Sequence, residues 1–435
     1  MKKYKHLFNL VLITGVLFMV SCDNEDDEPA ALTVTAITAT GTDVKSGEET
    51  TIDLNGATVA EGVPVNPVIT ITFSAEVDET TVSQSSVNIE GATYDLAVNG
   101  MDVVATVSEE LPRGTNFSLS LGEVSSTAGG SLTATSRSFK TGGRAPVVPP
   151  KEENQLAFWK FDGDATDETG TYDADTELNI EYVTDRHDEA SSTALFDGDA
   201  SIIEVNDAAD LMKENSSWTI SLWMNIDTLN NLNADGTGPA GQFVFGLGAF
   251  YGFRMESSGS ANNFSLATFW EIEPEGEDPY TRGEGFSFNG DGIYNATGGW
   301  RGHTYEEDLS DQGGLSAVLV SNWKHIVFTY DAPSLVASIY IDGKLMKEQD
   351  YNEYAPHPQE DCVGWKYSGE EPNVFPDLAF GWVQSRRGEL WQDTGFGNFD
   401  LPTSNHFKGM LDDFRIFDAS YSSEDVLNLY NAEKP

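Results

Sequence analysis

The chain has 435 residues, a length that allows two or three domains. Its 24 basic and 71 acidic side chains give a formal charge of −47, which argues against nucleic acid and anionic lipid surfaces as partners and favours neutral ligands, cationic ligands or divalent cations. With two cysteines and no CxxC or HExxH spacing, the sequence supports neither a disulfide framework nor a structural zinc site.

Residues 1–21 have the organisation of a targeting segment. Residues 1–5 are basic, residues 7–20 are mostly apolar, and Ser21 precedes Cys22. The apolar run is short for a bilayer span. This pattern resembles a bacterial lipoprotein signal with a lipobox, which implies that residues 1–21 are removed and that Cys22 carries a lipid. An ordinary secretory signal is the alternative.

Residues 22–30 are expected to form an acidic tether, because Asp and Glu fill most of the run DNEDDE at 23–28. The run resembles the export signal of surface lipoproteins in Gram-negative bacteria that degrade polysaccharides. That resemblance implies a lipid-anchored protein of the outer membrane, exposed at the cell surface. In other Gram-negative bacteria, an aspartate after the lipid-bearing cysteine retains the protein at the inner membrane, and this alternative stays open.

Residues 31–143 alternate as β-strands do. Ile69, Ile71 and Phe73 share one strand face, and Asn99-Gly100 predicts a type I′ hairpin turn. The runs VITITFS at 68–74 and FKTG at 139–142 are similar to those of bacterial Ig-like domains, which implies an Ig-like β-sandwich that acts as a spacer. Residues 144–153 contain several prolines and charges, and they predict an extended, semi-rigid linker.

Residues 154–435 are predicted to form one larger all-β domain. The run WKHIVFTYD at 323–331 and the turn signal Asp342-Gly343 predict a hairpin, FKGMLDDFRIF at 407–417 predicts a closing strand, and Ser422 with Asp425 predicts the capped start of a helix over 423–431. These motifs resemble laminin-G-like domains, which implies a concanavalin A-like jelly-roll β-sandwich. The resemblance places four tryptophans in the core: Trp159, Trp218, Trp223 and Trp323.

Two long segments, 230–314 and 352–405, fall outside the motifs of that family. Both are aromatic and the first is rich in glycine, so they are predicted to be ordered loops that carry function. Aromatic faces stack on the C–H-rich faces of pyranose rings, while carboxylates and amides accept hydroxyl protons. The predicted ligand-binding residues are Trp270, Tyr280, Trp300, Trp365, Trp382, Trp391 and Arg386. Each ring could equally cap the edge of the sandwich.

A divalent cation is a second prediction, since laminin-G-like sandwiches often hold calcium through oxygen ligands. The first and last strands are neighbours in this fold, so carboxylates from both could converge, and converging like charges need a cation or protonation. The candidate ligands are Asp162, Asp164 and Asp412, with Asp167 and Asp413 beside them. The alternative is that these aspartates cap backbone N–H groups in turns.

A catalytic alternative rests on the run WEIEPEGE at 270–277. It is similar to the paired-carboxylate strand of retaining glycosidases with the concanavalin A-like fold, and Glu271, Glu273 and Glu275 would share one face of a strand. Glutamate at the central position and the interruption by Pro274 depart from that pattern.

The sequence therefore predicts a lipid-anchored surface protein whose C-terminal sandwich captures an extracellular poly- or oligosaccharide without a chemical step and holds it for neighbouring glycan-uptake proteins. The alternatives are a glycoside hydrolase that uses Glu271 and Glu275, and an adhesion or scaffold protein that binds another protein through its aromatic loops.

Overall fold

A computed structural model describes residues 29–56, 58–214, 216–230, 241–276, 278–289, 303–353 and 362–435. The predictions on the signal segment, on Cys22 and on Trp300 lie outside these residues. The described chain folds into two β-sandwiches joined by residues 144–153, which confirms the predicted all-β fold class. In this part of the chain, no helix combines the length and the apolar character that a membrane crossing requires.

The N-terminal sandwich consists of nine strands in two sheets. The strands are β1 (Val34–Thr42), β2 (Glu49–Asp53), β3 (Ala60–Val63), β4 (Val68–Phe73), β5 (Val87–Ile89), β6 (Tyr94–Asn99), β7 (Asp102–Val107), β8 (Asn116–Leu121) and β9 (Thr135–Thr141). One sheet has the order β2-β1-β4-β7-β6 and the other β3-β9-β8-β5. Strand β4 alternates as predicted, with Ile69, Ile71 and Phe73 buried between the sheets. The Ig-like assignment itself stays a prediction.

The hairpin of β6 and β7 forms, but its turn is shifted by one residue. Asn99 pairs with Asp102, so Gly100 and Met101 are the two central residues. Only Gly100 has a positive φ, of 66°, which is the pattern of a type II′ turn rather than the predicted type I′. The shift keeps alternate residues of β7, such as Val103 and Ala105, in the core.

The C-terminal sandwich has two larger sheets. Its first strands are β10 (Gln155–Trp159), β11 (Thr176–Leu178), β12 (Glu181–Val183), β13 (Thr193–Asp197), β14 (Ile202–Val205), β15 (Trp218–Ile226), β16 (Gly241–Leu247), β17 (Phe253–Ser258) and β18 (Asn263–Ile272). The remaining strands are β19 (Tyr280–Asn289), β20 (His303–Tyr305), β21 (Lys324–Asp331), β22 (Val336–Ile341), β23 (Lys344–Asp350), β24 (Cys362–Trp365), β25 (Leu378–Phe380) and β26 (Lys408–Phe417). The α-helices are α1 (Leu315–Leu319) and α2 (Ser423–Glu433).

The C-terminal sandwich has a front sheet and a back sheet, and the family motifs near its end lie in the front sheet. The front sheet, with the order β12-β13-β26-β15-β21-β22-β23-β20 and β10 paired to β26, contains the motifs at 323–331 and 407–417. The back sheet has the order β11-β14-β25-β16-β17-β18-β19, with β24 paired to β18. Asp342 and Gly343 both have positive φ, 51° and 78°, as a type I′ turn between β22 and β23 requires.

Most of the back sheet comes from the two segments that were predicted to be loops. Strands β16, β17, β18 and β19 lie within 230–314, and β24 and β25 lie within 352–405. In β18, alternate residues from Phe264 to Ile272 are buried, which is the signature of a strand with one face on the core. The prediction that both segments are insertions outside the core was therefore wrong.

The front-sheet tryptophans fill the core much as predicted. Trp159, Trp218 and Trp223 are at most 2% exposed, whereas Trp323 is only half-buried. His325 from the same motif is fully buried on β21, and its Nε2 lies 2.8 Å from Ser221 Oγ. Burial lowers the pKa of His325 to about 3, so this ring is neutral and structural.

The C-terminal helix α2 begins at the predicted cap. Ser422 Oγ accepts a hydrogen bond from the backbone N–H of Asp425, and the Asp425 carboxylate accepts one from the backbone N–H of Ser422. This capping box satisfies two N–H groups that the helix leaves unpaired. Val426 and Leu429 then pack against Val327, Tyr340 and Phe417 of the front sheet.

We expect Ser422→Ala to destabilise the C-terminal sandwich by about 1 kcal/mol, because the substitution removes the side-chain acceptor of the capping box. Chemical denaturation of the two variants Ser422→Ala and Ser422→Thr measures the effect. Threonine keeps a hydroxyl at the cap and should retain most of the stability. Equal losses in both variants would contradict the role of the hydroxyl.

Ion pairs join the two sandwiches across the linker. Arg113 of the N-terminal sandwich places Nη1 2.8 Å from Glu189 Oε2, and Arg144 of the linker places Nη1 2.5 Å from Asp413 Oδ2 on β26. Asp413 is fully buried and Glu189 is 4% exposed, so both pairs are shielded from solvent. The linker thus runs along the C-terminal sandwich and is held there by charge.

Candidate functional site

Three of the predicted ligand-binding rings lie in the core. Trp270, Trp365 and Trp382 are each 1% exposed. The Trp365 ring stacks on Trp218 at 4.8 Å between centroids, and Trp270 meets Tyr330 edge-on at 4.7 Å. The prediction that these rings are exposed platforms was wrong. Trp270 and Trp365 lie on strands of the back sheet that turn them toward the front sheet, whereas Trp382 follows β25 and is covered by Phe243, Phe399 and His406.

The other two described rings remain at the surface. Tyr280 begins β19 and is 39% exposed. Trp391 is half-buried and lies nearly parallel to Phe243 at 6.2 Å between centroids, with Phe396 at 5.5 Å. Trp391 and Trp382 both pack on Phe243, but the five rings do not form one aromatic surface.

A cavity of about 330 Å³ opens in the segment that connects β25 to β26. We call it the loop cavity. Its lining residues are Trp382, Gln384, Ser385, Arg386, Gly388, Gln392, Gly397, Asn398, Phe399 and Asp400. The connection starts at Gly381, whose φ of 82° and tight approach to Phe196 leave no room for a side chain.

Gln384 lies at the base of the loop cavity. Gln384 is 3% exposed, and its Nε2 donates to the carbonyl of Leu390 at 3.0 Å. Its Oε1 is buried and has no hydrogen-bond partner among the described residues. This oxygen lies against Gly388, where a side chain would collide with it, so Gln384 braces the connection from below.

Arg386 forms one wall of the loop cavity. Its Nη2 lies 2.8 Å from Glu204 Oε2 and its Nε lies 3.2 Å from Glu204 Oε1, and its backbone N–H also donates to Oε1 at 2.6 Å. Glu204 belongs to β14 and is 6% exposed. Hydrogen bonding to Glu204 raises the pKa of Arg386, and the fork-shaped pairing fixes the guanidinium in one orientation.

The rim of the loop cavity is held by hydrogen bonds within the connection. Asn398 Nδ2 donates to the carbonyl of Gln392 at 2.8 Å, and Asn398 Oδ1 accepts from the backbone N–H of Asp400 at 3.0 Å. Gln392 Nε2 donates to the carbonyl of Gly388 at 3.1 Å. Because these contacts already order the rim, a ligand would meet a largely preformed surface.

The lining of the loop cavity combines amide and guanidinium donors with carboxylate and amide acceptors beside one half-buried ring, Phe399. Of the predicted binding residues, Arg386 and Trp382 line it, and Trp391 packs behind Gly397. Sequence reasoning missed Gln384, Gln392, Asn398 and Asp400. The signal for the last three was the run of amide, acidic and glycine residues that follows Arg386, whereas nothing in the sequence singled out Gln384.

A larger cavity of about 630 Å³ lies between the two sandwiches. Arg113, Arg144, Asp162 and Glu189 are among the residues that line it. Their charged groups form the ion pairs that join the sandwiches, so this cavity is best explained as the seam of the domain interface.

The predicted cation ligands are neutralised by arginine. Asp412 is 1% exposed and forms an ion pair with Arg186, and Asp413 pairs with both Arg186 and Arg144. Burial raises the pKa of Asp412. Burial also opposes ionisation of Asp413, but its two guanidinium partners outweigh it and lower the pKa of that group. Among the described residues, no group of three or more His, Cys, Asp or Glu side chains could hold a metal ion.

The aspartates at the start of the domain cap turns or pair with arginine. Asp164 accepts from the backbone N–H of Thr166 at 3.0 Å, and buried Asp167 accepts from four backbone N–H groups. Asp162 lies 3.6 Å from Arg113, and burial raises its pKa to about 6. The first and last strands do converge, since β10 pairs with β26, and guanidinium groups of Arg144 and Arg186 supply the countercharge there.

The paired-carboxylate strand of the catalytic alternative does not form. Strand β18 ends at Ile272, so Glu273 and Glu275 lie in the turn beyond it and are exposed. Glu271 is on the strand, and its Oε1 is bound to Lys366 Nζ at 2.7 Å. Pro274 removes the N–H that a continued strand needs, which explains why the three glutamates do not share one face.

Comparison with known proteins identifies the class of the C-terminal sandwich. Residues 197–374 match the family model Laminin_G_3, described as the concanavalin A-like lectin/glucanases superfamily. The chain therefore contains a concanavalin A-like domain, as the motifs at 323–331 and 342–343 predicted. No curated protein matches the sequence.

Solved structures give weaker similarities. The binding domain of Paraclostridial Mosquitocidal Protein 1 has a TM-score of 0.39 and 15% identity, over 64% of this chain and 52% of that structure. The binding domain of botulinum neurotoxin serotype D has a TM-score of 0.36 and 13% identity, over 65% and 52%. This chain spans about half the length of these structures, and a likeness of this degree carries no conclusion about function.

Proposed function

We propose that this protein binds carbohydrate without a chemical step, and that the loop cavity of its concanavalin A-like domain is the binding site. The observation that carries the proposal is the lining of the cavity. It has donors on Arg386, Gln392 and Asn398, an acceptor on Asp400, and the half-buried ring of Phe399. Pocket walls that mix an aromatic face with a few well-placed polar groups suit a polyhydroxylated ligand.

The placement of the protein in the cell is part of the proposal. The lipobox-like residues at 19–22 and the acidic run after Cys22 support a lipid anchor in the outer membrane, with the acidic tether and the N-terminal sandwich as the spacer. The glycan would be held near surface proteins that take it up. The substitution Cys22→Ser should shift the chain from the membrane fraction to the soluble fraction. Protease added to intact cells should degrade the wild-type chain, because the chain faces outward.

We expect Arg386→Gln to weaken polysaccharide binding by about tenfold, because one charge-assisted hydrogen-bond donor is lost from the wall of the loop cavity. Affinity electrophoresis of the full chain through gels with and without each polysaccharide measures the change. The panel should contain neutral, uronic-acid and sulfated polysaccharides.

The adjacent arginine provides a matched control. Arg387 lies outside the lining, packs on Phe375 at 4.2 Å and lies 3.3 Å from the buried Asp377. Arg387→Gln therefore also separates an arginine from a buried carboxylate, yet it should leave binding unchanged. Equal losses in the two variants would contradict binding in the loop cavity.

The same incubations separate binding from hydrolysis. We expect no release of reducing ends from any polysaccharide, since Glu271 is held by Lys366 and lacks a second carboxylate on its strand. Release that disappears in Glu271→Gln would instead establish the hydrolase alternative. Failure of every polysaccharide to retard the chain would remove the proposal and favour a role in adhesion.

A further inference from the structure

We infer that the loop cavity selects neutral, hydroxyl-rich glycans and rejects glycans that carry carboxylate or sulfate groups. This inference rests on the proposed function and adds the class of ligand. It follows from how the charges in and behind the cavity are already paired, and not from the presence of an arginine as such.

The arginine of the loop cavity already has an anionic partner. Among the residues that line the cavity, Arg386 carries the only cationic side chain, and two of its nitrogens face the two carboxylate oxygens of Glu204. Glu204 cannot withdraw into solvent, because it is 6% exposed and fixed on β14. Because Glu204 already neutralises the guanidinium, an anionic sugar gains little net attraction from Arg386, and drawing the guanidinium away would leave Glu204 unpaired.

The carboxylate at the rim favours a ligand that donates hydrogen bonds. Asp400 at the rim is exposed, and a carboxylate group accepts hydrogen bonds. A hydroxyl group can donate to Asp400, whereas a carboxylate or sulfate would place acceptor against acceptor. With Glu204 included, the charged groups around the cavity sum to one negative charge.

The second arginine of the loop, Arg387, does not change the net charge around the cavity. Arg387 lies outside the lining, packs over Phe375 and pairs with Asp377. The chain as a whole carries a formal charge of −47, so its long-range field also opposes the approach of polyanions. The two adjacent arginines are therefore part of the architecture of the loop and not an anion-binding pair.

The test compares neutral and acidic polysaccharides on the full chain. Laminarin, dextran and galactomannan serve as neutral probes, alginate as the polyuronate and carrageenan as the sulfated probe. We expect at least one neutral probe to bind, with alginate and carrageenan at least about tenfold weaker, and neutral binding that is insensitive to salt. Acidic probes that bind as tightly as neutral ones, and lose binding in Arg386→Gln, would overturn the inference while leaving the proposed function intact.

Substitution of the paired carboxylate tests the cause. Glu204→Gln frees the guanidinium and should improve alginate binding relative to neutral glycan by about tenfold. Asp377→Asn, which frees Arg387 outside the cavity, is the matched control and should produce no gain. If Glu204→Gln does not fold, Asp400→Lys at the exposed rim should shift the preference in the same direction. No change in the ratio with either variant would contradict the inference, whereas loss of all glycan binding in the wild type would contradict the proposed function instead.

Discussion

Replacing Arg186 with methionine is expected to destabilise the C-terminal sandwich by about 3–5 kcal/mol, because the change leaves buried carboxylates without their partner. Arg186 is the shared partner of Asp412 and Asp413, and its guanidinium also lies over the Trp223 ring at 4.2 Å. Asp412 then has no cation in direct contact in the described structure, while Asp413 keeps Arg144. Methionine fills part of the volume but supplies no donor.

Thermal and chemical denaturation of the full chain measure this loss. Lys408→Met on the same strand, β26, is the matched control, since Lys408 pairs with Asp227 through side chains that are 41% and 47% exposed. Exposed pairs contribute about 0–1 kcal/mol, so that variant should remain close to the wild type. Adding Asp412→Asn to Arg186→Met should restore part of the stability. Similar losses in the Arg186 and Lys408 variants would contradict the importance of burial.

Replacing Lys347 with methionine is expected to stabilise the protein by about 3–5 kcal/mol at pH 6. Lys347 is 1% exposed, and its Nζ donates to the carbonyl of Ser287 at 2.5 Å. The rings of Phe286 and Tyr305 lie 5.3 and 5.0 Å from Nζ. Burial lowers the pKa of Lys347 from its ordinary value of 10.5 to about 7. Methionine has a similar length and carries no charge to desolvate.

The pH dependence of this effect has a definite sign. Between about pH 10.5 and pH 7, the unfolded chain binds a proton at Lys347 that the folded chain does not, so the wild type loses stability as the pH falls through this window. Below pH 7 both states are protonated and the loss is complete. The stability difference between Lys347→Met and wild type should therefore grow from pH 10 to pH 7 and then level off. Denaturation curves across this range would contradict the argument if the difference did not change with pH.

The burial of the aromatic residues shows where sequence patterns stop being informative. The alternation in 263–272 is compatible with a strand, but the sequence does not say whether the face with Trp270 meets a second sheet or the solvent. That choice depends on the front sheet, whose strand β21 supplies Tyr330 opposite Trp270 from a position far along the chain. Rings that were predicted to be exposed therefore lie in the core.

The arginines that pair with the buried carboxylates could not be predicted from sequence patterns either. The convergence of the first and last strands was predictable, and β10 does pair with β26 beside Asp412 and Asp413. Arg144 and Arg186 lie more than 200 positions earlier in the chain, so no spacing rule connects them to these carboxylates. Because the sequence does not reveal these partners, a metal ion was predicted as the countercharge.

The sequence alone predicted the features that depend on residues close together in the chain. These are the all-β class, the Asp342-Gly343 hairpin, the capping box at Ser422 and the concanavalin A-like motifs. Each depends on residues within about ten positions of one another, where backbone sterics and hydrogen bonding act directly. The tertiary structure alone decided which rings are buried, which arginine neutralises which carboxylate, and where the loop cavity opens. Those properties depend on packing between strands that are far apart in the sequence. No short sequence pattern shows which of these strands will lie side by side.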